Sequence, residues 1–167
     1  MADVNFKESY EKAEKYNIAL DNYFSNRFTV IACETRATQS LGVDRFLVSN
    51  KTGLRLSVEY KVDFRAGRSG NAFIETRQRF EDGRLVPGWG FSTCAQLIAY
   101  FVVGRAAVYL LDTLKMKREL PHYSKFFPKT DWVVNLKQDG TNYAAKGILV
   151  PLEILEKACL SVENLEC

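Results

Sequence analysis

The clearest pattern in the chain runs from Leu54 to Asp63, where apolar and polar residues alternate. Successive side chains of a β-strand point to opposite faces, so Leu54, Leu56, Val58, Tyr60 and Val62 share one face. Arg55, Ser57, Glu59, Lys61 and Asp63 share the other. The first face suits a core, and the second is charged.

Elements on both sides of this strand follow from the same kind of spacing. Phe6, Tyr10, Ala13, Asn17, Leu20 and Phe24 fall in one stripe at about 100° per residue, which predicts a helix that packs on a sheet. Glu8 and Glu11 lie well away from the stripe, whereas Glu14 sits on its flank, within reach of a sheet edge. The β-branched run Phe28 to Cys33 predicts a buried strand, residues 34–42 a polar loop and residues 43–49 another strand. A turn at Asn50 to Gly53 then makes a hairpin with the alternating strand and brings Asp44 and Glu59 onto neighbouring strands.

Residues 64–70 are basic and glycine-bearing, as in a turn, and residues 71–79 predict a strand with Asn71, Glu75, Arg77 and Arg79 on one side. Asp82-Gly83 and Pro87-Gly88 break the chain. The spacing of Cys94, Leu97, Ile98 and Phe101 predicts a helix over 92–103, with Gln96 and Tyr100 four apart on a different face. A buried strand over 106–111, a short helix over 113–119 and an irregular stretch over 120–129 come next. Strands over 131–137 and 143–150 flank an Asp139-Gly140 turn, and Pro151 opens a closing helix that runs to about Glu163. This order predicts one α/β (or α+β) domain, a mixed β-sheet flanked by α-helices.

Composition narrows the chemistry. With 167 residues, 47% of them hydrophobic, the chain can bury the core of one globular domain. No apolar run approaches the roughly 18–20 residues of a membrane helix, and the first residues lack the apolar segment of a signal peptide. A cytoplasmic protein with no membrane partner is therefore expected. Cys33, Cys94, Cys159 and Cys167 are scattered without a Cys-x-x-Cys pair, which argues for reduced thiols rather than a zinc site or a disulfide framework. The single histidine, His122, argues against His-rich metal sites and Ser-His or Cys-His nucleophiles, so hydrolysis would rest on carboxylates and lysine. A net charge of +3 permits a nucleic-acid partner without requiring one, since the placement of the cations decides.

Glu59 and Lys61 are neighbours on the charged strand face, and Asp44 stands at the start of the preceding strand. An acid followed by Glu-x-Lys on the next strand is the skeleton of a metal-dependent nuclease site. An exposed strand face with a solvated ion pair would leave the same pattern.

Val43-Asp44 and Val58-Glu59-Tyr60-Lys61, supported by Ser69 to Glu75, resemble the PD-(D/E)XK nuclease superfamily, whose members include type II restriction enzymes and Holliday-junction resolvases. The resemblance spans about residues 10–115, and the closing strand with Pro151-Leu152-Glu153 is similar to small phage-type members. Val43 replaces the proline that often precedes the first acid, and Tyr60 replaces a small aliphatic residue; neither change removes a charged group. Gln96 and Tyr100 also resemble the Gln-x-x-x-Tyr element of the exonuclease branch.

The resemblance implies a restriction-endonuclease-like fold and a Mg²⁺-dependent DNA endonuclease, with Mn²⁺ able to substitute and branched or structured DNA as a conceivable substrate. Asp44 and Glu59 would hold the metal with the Tyr60 carbonyl as a further ligand, while Lys61 would orient the attacking water or steady the phosphate. Glu14 would act around the metal, and Glu75 would line the groove or pair with an arginine. Arg65, Arg68, Arg77, Arg79 and Gln96 would contact DNA. A homodimer would suit the cutting of two strands. The alternative is a module of the same fold that binds nucleic acid or a protein partner without cutting.

Overall fold

The computed structural model describes residues 6–136 and 142–165, with side chains over 14–135 and 142–165. A six-stranded sheet is built from β1 (Phe28–Ala32), β2 (Arg45–Ser49), β3 (Arg55–Asp63), β6 (Leu97–Val102), β7 (Ala107–Asp112) and β10 (Cys159–Asn164), in that spatial order. The β3–β6 pair is parallel and the other pairs are antiparallel, so the predicted mixed sheet is present. A second, antiparallel sheet has the order β5 (Leu85–Pro87), β4 (Asn71–Phe80), β9 (Asn142–Pro151), β8 (Val133–Leu136).

Each face of the six-stranded sheet is covered by a different partner. On one face, helix α1 (Phe6–Ser25) buries Leu20 and Phe24 against Val58, Tyr60, Ala99, Phe101 and Val108. On the other, Ile98, Tyr100, Tyr109 and Leu111 pack against Ile74, Ile148 and Val150 of the second sheet. Met116, Leu120 and Tyr123 of helix α5 (Thr113–Phe126) complete that core. The second sheet closes over the polar face of β3, so Glu59 is 4% exposed although it belongs to the face that alternation assigns to water.

Several predicted elements are corrected. Residues 92–103 are not a helix: a single turn, α4 (Trp89–Ser92), leads into β6, all six of whose residues are buried. A strand covered on both faces loses its alternation, and its apolar run mimics helical spacing. The loop over 34–42 contains a short helix, α2 (Arg36–Ser40), capped by Thr35, whose Oγ1 accepts the Thr38 N–H. A further turn, α3 (Ala66–Ser69), sits within the basic segment.

Helix α5 begins where expected, with the Asp112 carboxylate accepting the Lys115 N–H at 2.9 Å. It then runs through Pro121 and absorbs much of the stretch expected to be irregular. The missing Pro121 N–H loses one helical bond, but buried Leu120 and Tyr123 on either side hold the helix to the core. The closing helix shrinks to α6 (Leu152–Leu155) and a 3₁₀ turn at Glu156–Ala158, after which β10 pairs with β7. The Asp139-Gly140 turn and the side chains of Phe6, Tyr10 and Ala13 lie outside the described residues. No helix among the described residues is long and apolar enough to cross a membrane.

Candidate active site between the two sheets

Strand β3 carries the centre of the site. Glu59 and Lys61, two residues apart, share the face that looks toward the second sheet, and Lys61 Nζ lies 2.5 Å from Glu59 Oε1. Asp44 enters from the residue before β2, which is fixed at both main-chain groups. Its N–H donates to the Val58 carbonyl at 2.9 Å, and its carbonyl accepts the Cys33 N–H at 2.9 Å and Arg45 Nη1 at 3.0 Å. Its side chain then turns onto β3, where Oδ2 accepts the Tyr60 N–H at 2.7 Å. The N–H and C=O of one strand residue leave by the same edge, so the Tyr60 carbonyl is directed to the edge on which Asp44 lies.

The second sheet adds a third carboxylate. Glu75 of β4 is 4% exposed, and its Oε1 accepts Gln78 Nε2 at 2.6 Å and the Trp89 N–H at 3.3 Å. The Trp89 ring lies over Lys61, with Nζ 5.7 Å from its centroid. Gly88 permits this approach, because a Cβ there would come within 2.5 Å of the Glu75 carbonyl oxygen.

Electrostatics bind these groups into one cluster. Burial works to lower the Lys61 pKa, but Glu59, Asp44 and Glu75 together hold the ammonium above its ordinary value. Lys61 therefore stays protonated at neutral pH. Burial pushes the Glu75 carboxyl up, against the opposing pull of Gln78, Lys61 and the Trp89 N–H.

Glu59 Oε2 is buried and, among the described residues, has no hydrogen-bond partner. An ionised oxygen in that condition carries a desolvation penalty. Gly42 stands beside the same atom: its φ is +68°, and a Cβ there would sit 3.1 Å from Glu59 Oε2 and 2.9 Å from Thr93 Oγ1. The chain thus leaves space beside an orphaned carboxylate oxygen.

Carboxylate and carbonyl oxygens are the ligand chemistry that a hard divalent cation takes. Among the described residues no three Asp, Glu, His or Cys side chains gather closely enough to hold an ion. The chain would therefore offer Asp44, Glu59 and the Tyr60 carbonyl, a sparse oxygen set of the kind Mg²⁺ accepts because it keeps waters and substrate phosphate as its other ligands.

Other residues singled out from the sequence lie elsewhere. Glu14 is exposed, with its carboxylate 3.5 Å from Asn17 Nδ2, on a helix that packs against the opposite face of the sheet from Glu59. The structure does not bring it to Lys61. Arg65 and Arg68 are exposed beside and within α3, and Arg77 and Arg79 are exposed on β4. No ion pair joins Glu75 to an arginine among the described residues.

Gln96 and Tyr100 bind the strands to one another. Gln96 Oε1 accepts the Ser57 N–H at 3.0 Å. The Tyr100 hydroxyl donates to Asp63 and accepts the Phe73 N–H at 3.0 Å, which links the two sheets.

Sequence reasoning missed Trp89, Gln78 and the support behind the site. Asp21 of α1 takes Arg45 Nε at 2.9 Å and Nη2 at 3.0 Å, and accepts the Tyr60 hydroxyl at 3.0 Å. One helix residue thus steadies the neighbours of Asp44 and Glu59. The glycines on either side of Trp89 were a usable signal of close approach; nothing in the sequence pointed from Asp21 to Arg45.

The fold and this cluster define an α/β domain with a partly buried carboxylate–lysine centre between two sheets. No protein-family model matches the chain, and no curated protein does. Among solved structures, a bacterial homing endonuclease superposes with a TM-score of 0.40 and 16% sequence identity, over 70% of this chain and 69% of that one. A likeness of that degree does not bear on what the chain does.

Proposed function

We propose that this protein is a Mg²⁺-dependent endonuclease that hydrolyses phosphodiester bonds in DNA, with Asp44, Glu59 and Lys61 as its reacting group. The observation that carries the reading is the Glu59 carboxylate, which meets Lys61 through one oxygen and leaves the other buried without a partner. A purely structural ion pair gains from satisfying both oxygens, since an unmet buried acceptor costs about 1–3 kcal/mol.

Asp44 and Glu59 would hold the ion with the Tyr60 carbonyl. When bound, Mg²⁺ would supply positive charge to the nonbridging phosphate oxygens and acidify a water. Lys61, kept protonated by the surrounding carboxylates, donates hydrogen bonds rather than removing a proton. Its compact ammonium suits orienting the attacking water or steadying the phosphate. Trp89 limits water on one side of Nζ, and Asp21, through Arg45 and Tyr60, keeps β2 and β3 in register behind the acids.

The test is incubation with supercoiled, linear and four-way-junction DNA in Mg²⁺, in Mn²⁺ and in chelator, comparing wild type with Asp44→Ala and Lys61→Ala. Metal-dependent cleavage lost in both folded variants is the expected result. Undiminished cutting by Asp44→Ala would overturn the assignment. Binding without any cutting by wild type would leave a module that recognises DNA and does not cleave it.

A further inference from the structure

We infer that the exposed end of the four-stranded sheet is a docking surface for the phosphate backbone of duplex DNA, made by Arg77, Arg79 and Lys146 around Trp132. The inference rests on the DNA-directed reading above and adds where, and in what form, the nucleic acid is held. Arg77 pairs with Lys146 across β4 and β9, and Arg79, two residues along β4, returns to the same face. Glu75 pairs with Gly147 whereas Arg77 pairs with Lys146, so a bulge between them sets this row on the face of β4 opposite Glu75 and Gln78 rather than on the one side that simple alternation predicts.

The state of these cations separates them from ordinary solvated charges. Arg79 Cζ lies 4.5 Å and Lys146 Nζ 5.4 Å from the centroid of the Trp132 ring. Stacking on a ring fixes a guanidinium without using its in-plane N–H donors, which remain free for phosphate oxygens. Among the described residues none of the three cations has an ion-pair partner. The acids that follow on the strand are engaged elsewhere: Glu81 accepts Asn142 Nδ2 at 2.8 Å, and Asp82 pairs with Arg84 at 3.6 Å. Two cations gathered on one indole repel each other, and an anion laid across them relieves that repulsion.

The same arrangement selects the form of the partner. Proteins that hold single strands offer bare aromatic faces to the bases, whereas Trp132 already carries Arg79 and Lys146. What is left to the ligand is charge and N–H donors, which match a phosphate backbone.

The experiment uses the full chain and a short fluorescein-labelled DNA duplex in EDTA, titrated over a range of salt. Arg79→Gln and Lys146→Gln are each expected to weaken binding about five- to tenfold near 0.1 M salt and to reduce the slope of log affinity against log salt by about 0.9, as loss of one phosphate contact requires. Arg118→Gln, at an exposed position of α5, is expected to leave the slope unchanged. Wild-type affinity and slope in the two sheet variants, an equal effect of Arg118→Gln, or stronger competition by single-stranded DNA or by RNA would each overturn the inference. Because the readout excludes metal, it separates the two readings. Absent cleavage with this binding pattern intact removes only the catalytic assignment, and cleavage with unaltered binding in both variants removes only this surface.

Discussion

Asp44 Oδ2 accepts the Tyr60 main-chain N–H at 2.7 Å, which locks the acid of one strand to the residue between Glu59 and Lys61 on the next. Asp44→Ala leaves that N–H without its acceptor and is expected to cost about 1–3 kcal/mol. Asp44→Asn keeps an acceptor oxygen and should recover most of the loss. Both should be inactive, because neither supplies the carboxylate charge. Urea denaturation and a cleavage assay on the two proteins separate these roles, and an Asn variant that cuts like wild type would contradict the assignment.

Glu75 gives a pH-dependent prediction of opposite sign to the usual carboxylate. Burial raises its pKa in the folded protein, so the folded state holds the proton more tightly than the unfolded chain does. Its contribution to stability is full below the unfolded value of about 4.3 and is lost as pH rises through the folded value. At neutral pH the ionised side chain therefore opposes folding relative to a neutral isostere. Glu75→Gln, which keeps an oxygen for Gln78 and the Trp89 N–H, should be more stable than wild type at neutral pH. The gain should vanish as pH falls below about 4, as seen by denaturation midpoints at the two pH values.

That the charge of Glu75, on a different sheet, acts on Lys61 marks the limit of what the sequence shows. The alternation of residues 54–63 locates β3, and the Asn50 to Gly53 turn places Asp44 at the start of the strand beside it, because both signals are local. Burial of Glu59 is not local: it depends on β4 and β9 folding into a second sheet that covers the polar face. The run Leu97 to Val102 shows the same limit from the other side, since burial on both faces removes the alternation that identifies a strand. In β10, Leu160 and Val162 do alternate with Ser161 and Glu163, and the helical reading from Pro151 passed over that signal.

Lys61 and Glu59 should behave as a unit. Each single removal, Lys61→Met or Glu59→Gln, breaks the pair at 2.5 Å, and a double-mutant cycle should return a coupling of about 1–3 kcal/mol. The ammonium pKa is raised in the folded state, so its stabilising contribution is complete below the unfolded value of about 10.4 and is lost as pH climbs through the folded one. The stability difference between wild type and Lys61→Met should accordingly hold through neutral pH and close only in strong alkali. A difference that closes near neutral pH would mean that the three carboxylates do not hold the lysine charged.

Metal binding can be tested without reference to catalysis. An ion that binds the folded chain raises stability by mass action, about 2.7 kcal/mol at a hundredfold excess over its dissociation constant. The midpoint of thermal unfolding should therefore climb with Mg²⁺ in wild type and remain flat in Glu59→Gln. Gly42→Ala is the more searching variant, because it alters no donor. Its Cβ would stand 3.1 Å from Glu59 Oε2 in a backbone at φ +68°, crowding the oxygen that lacks a partner. If that oxygen is the one offered to the ion, Gly42→Ala should lose the Mg²⁺-dependent shift beyond any fall in its metal-free midpoint. A shift equal to that of wild type would place the ion away from Glu59 Oε2, whatever the cleavage assay shows.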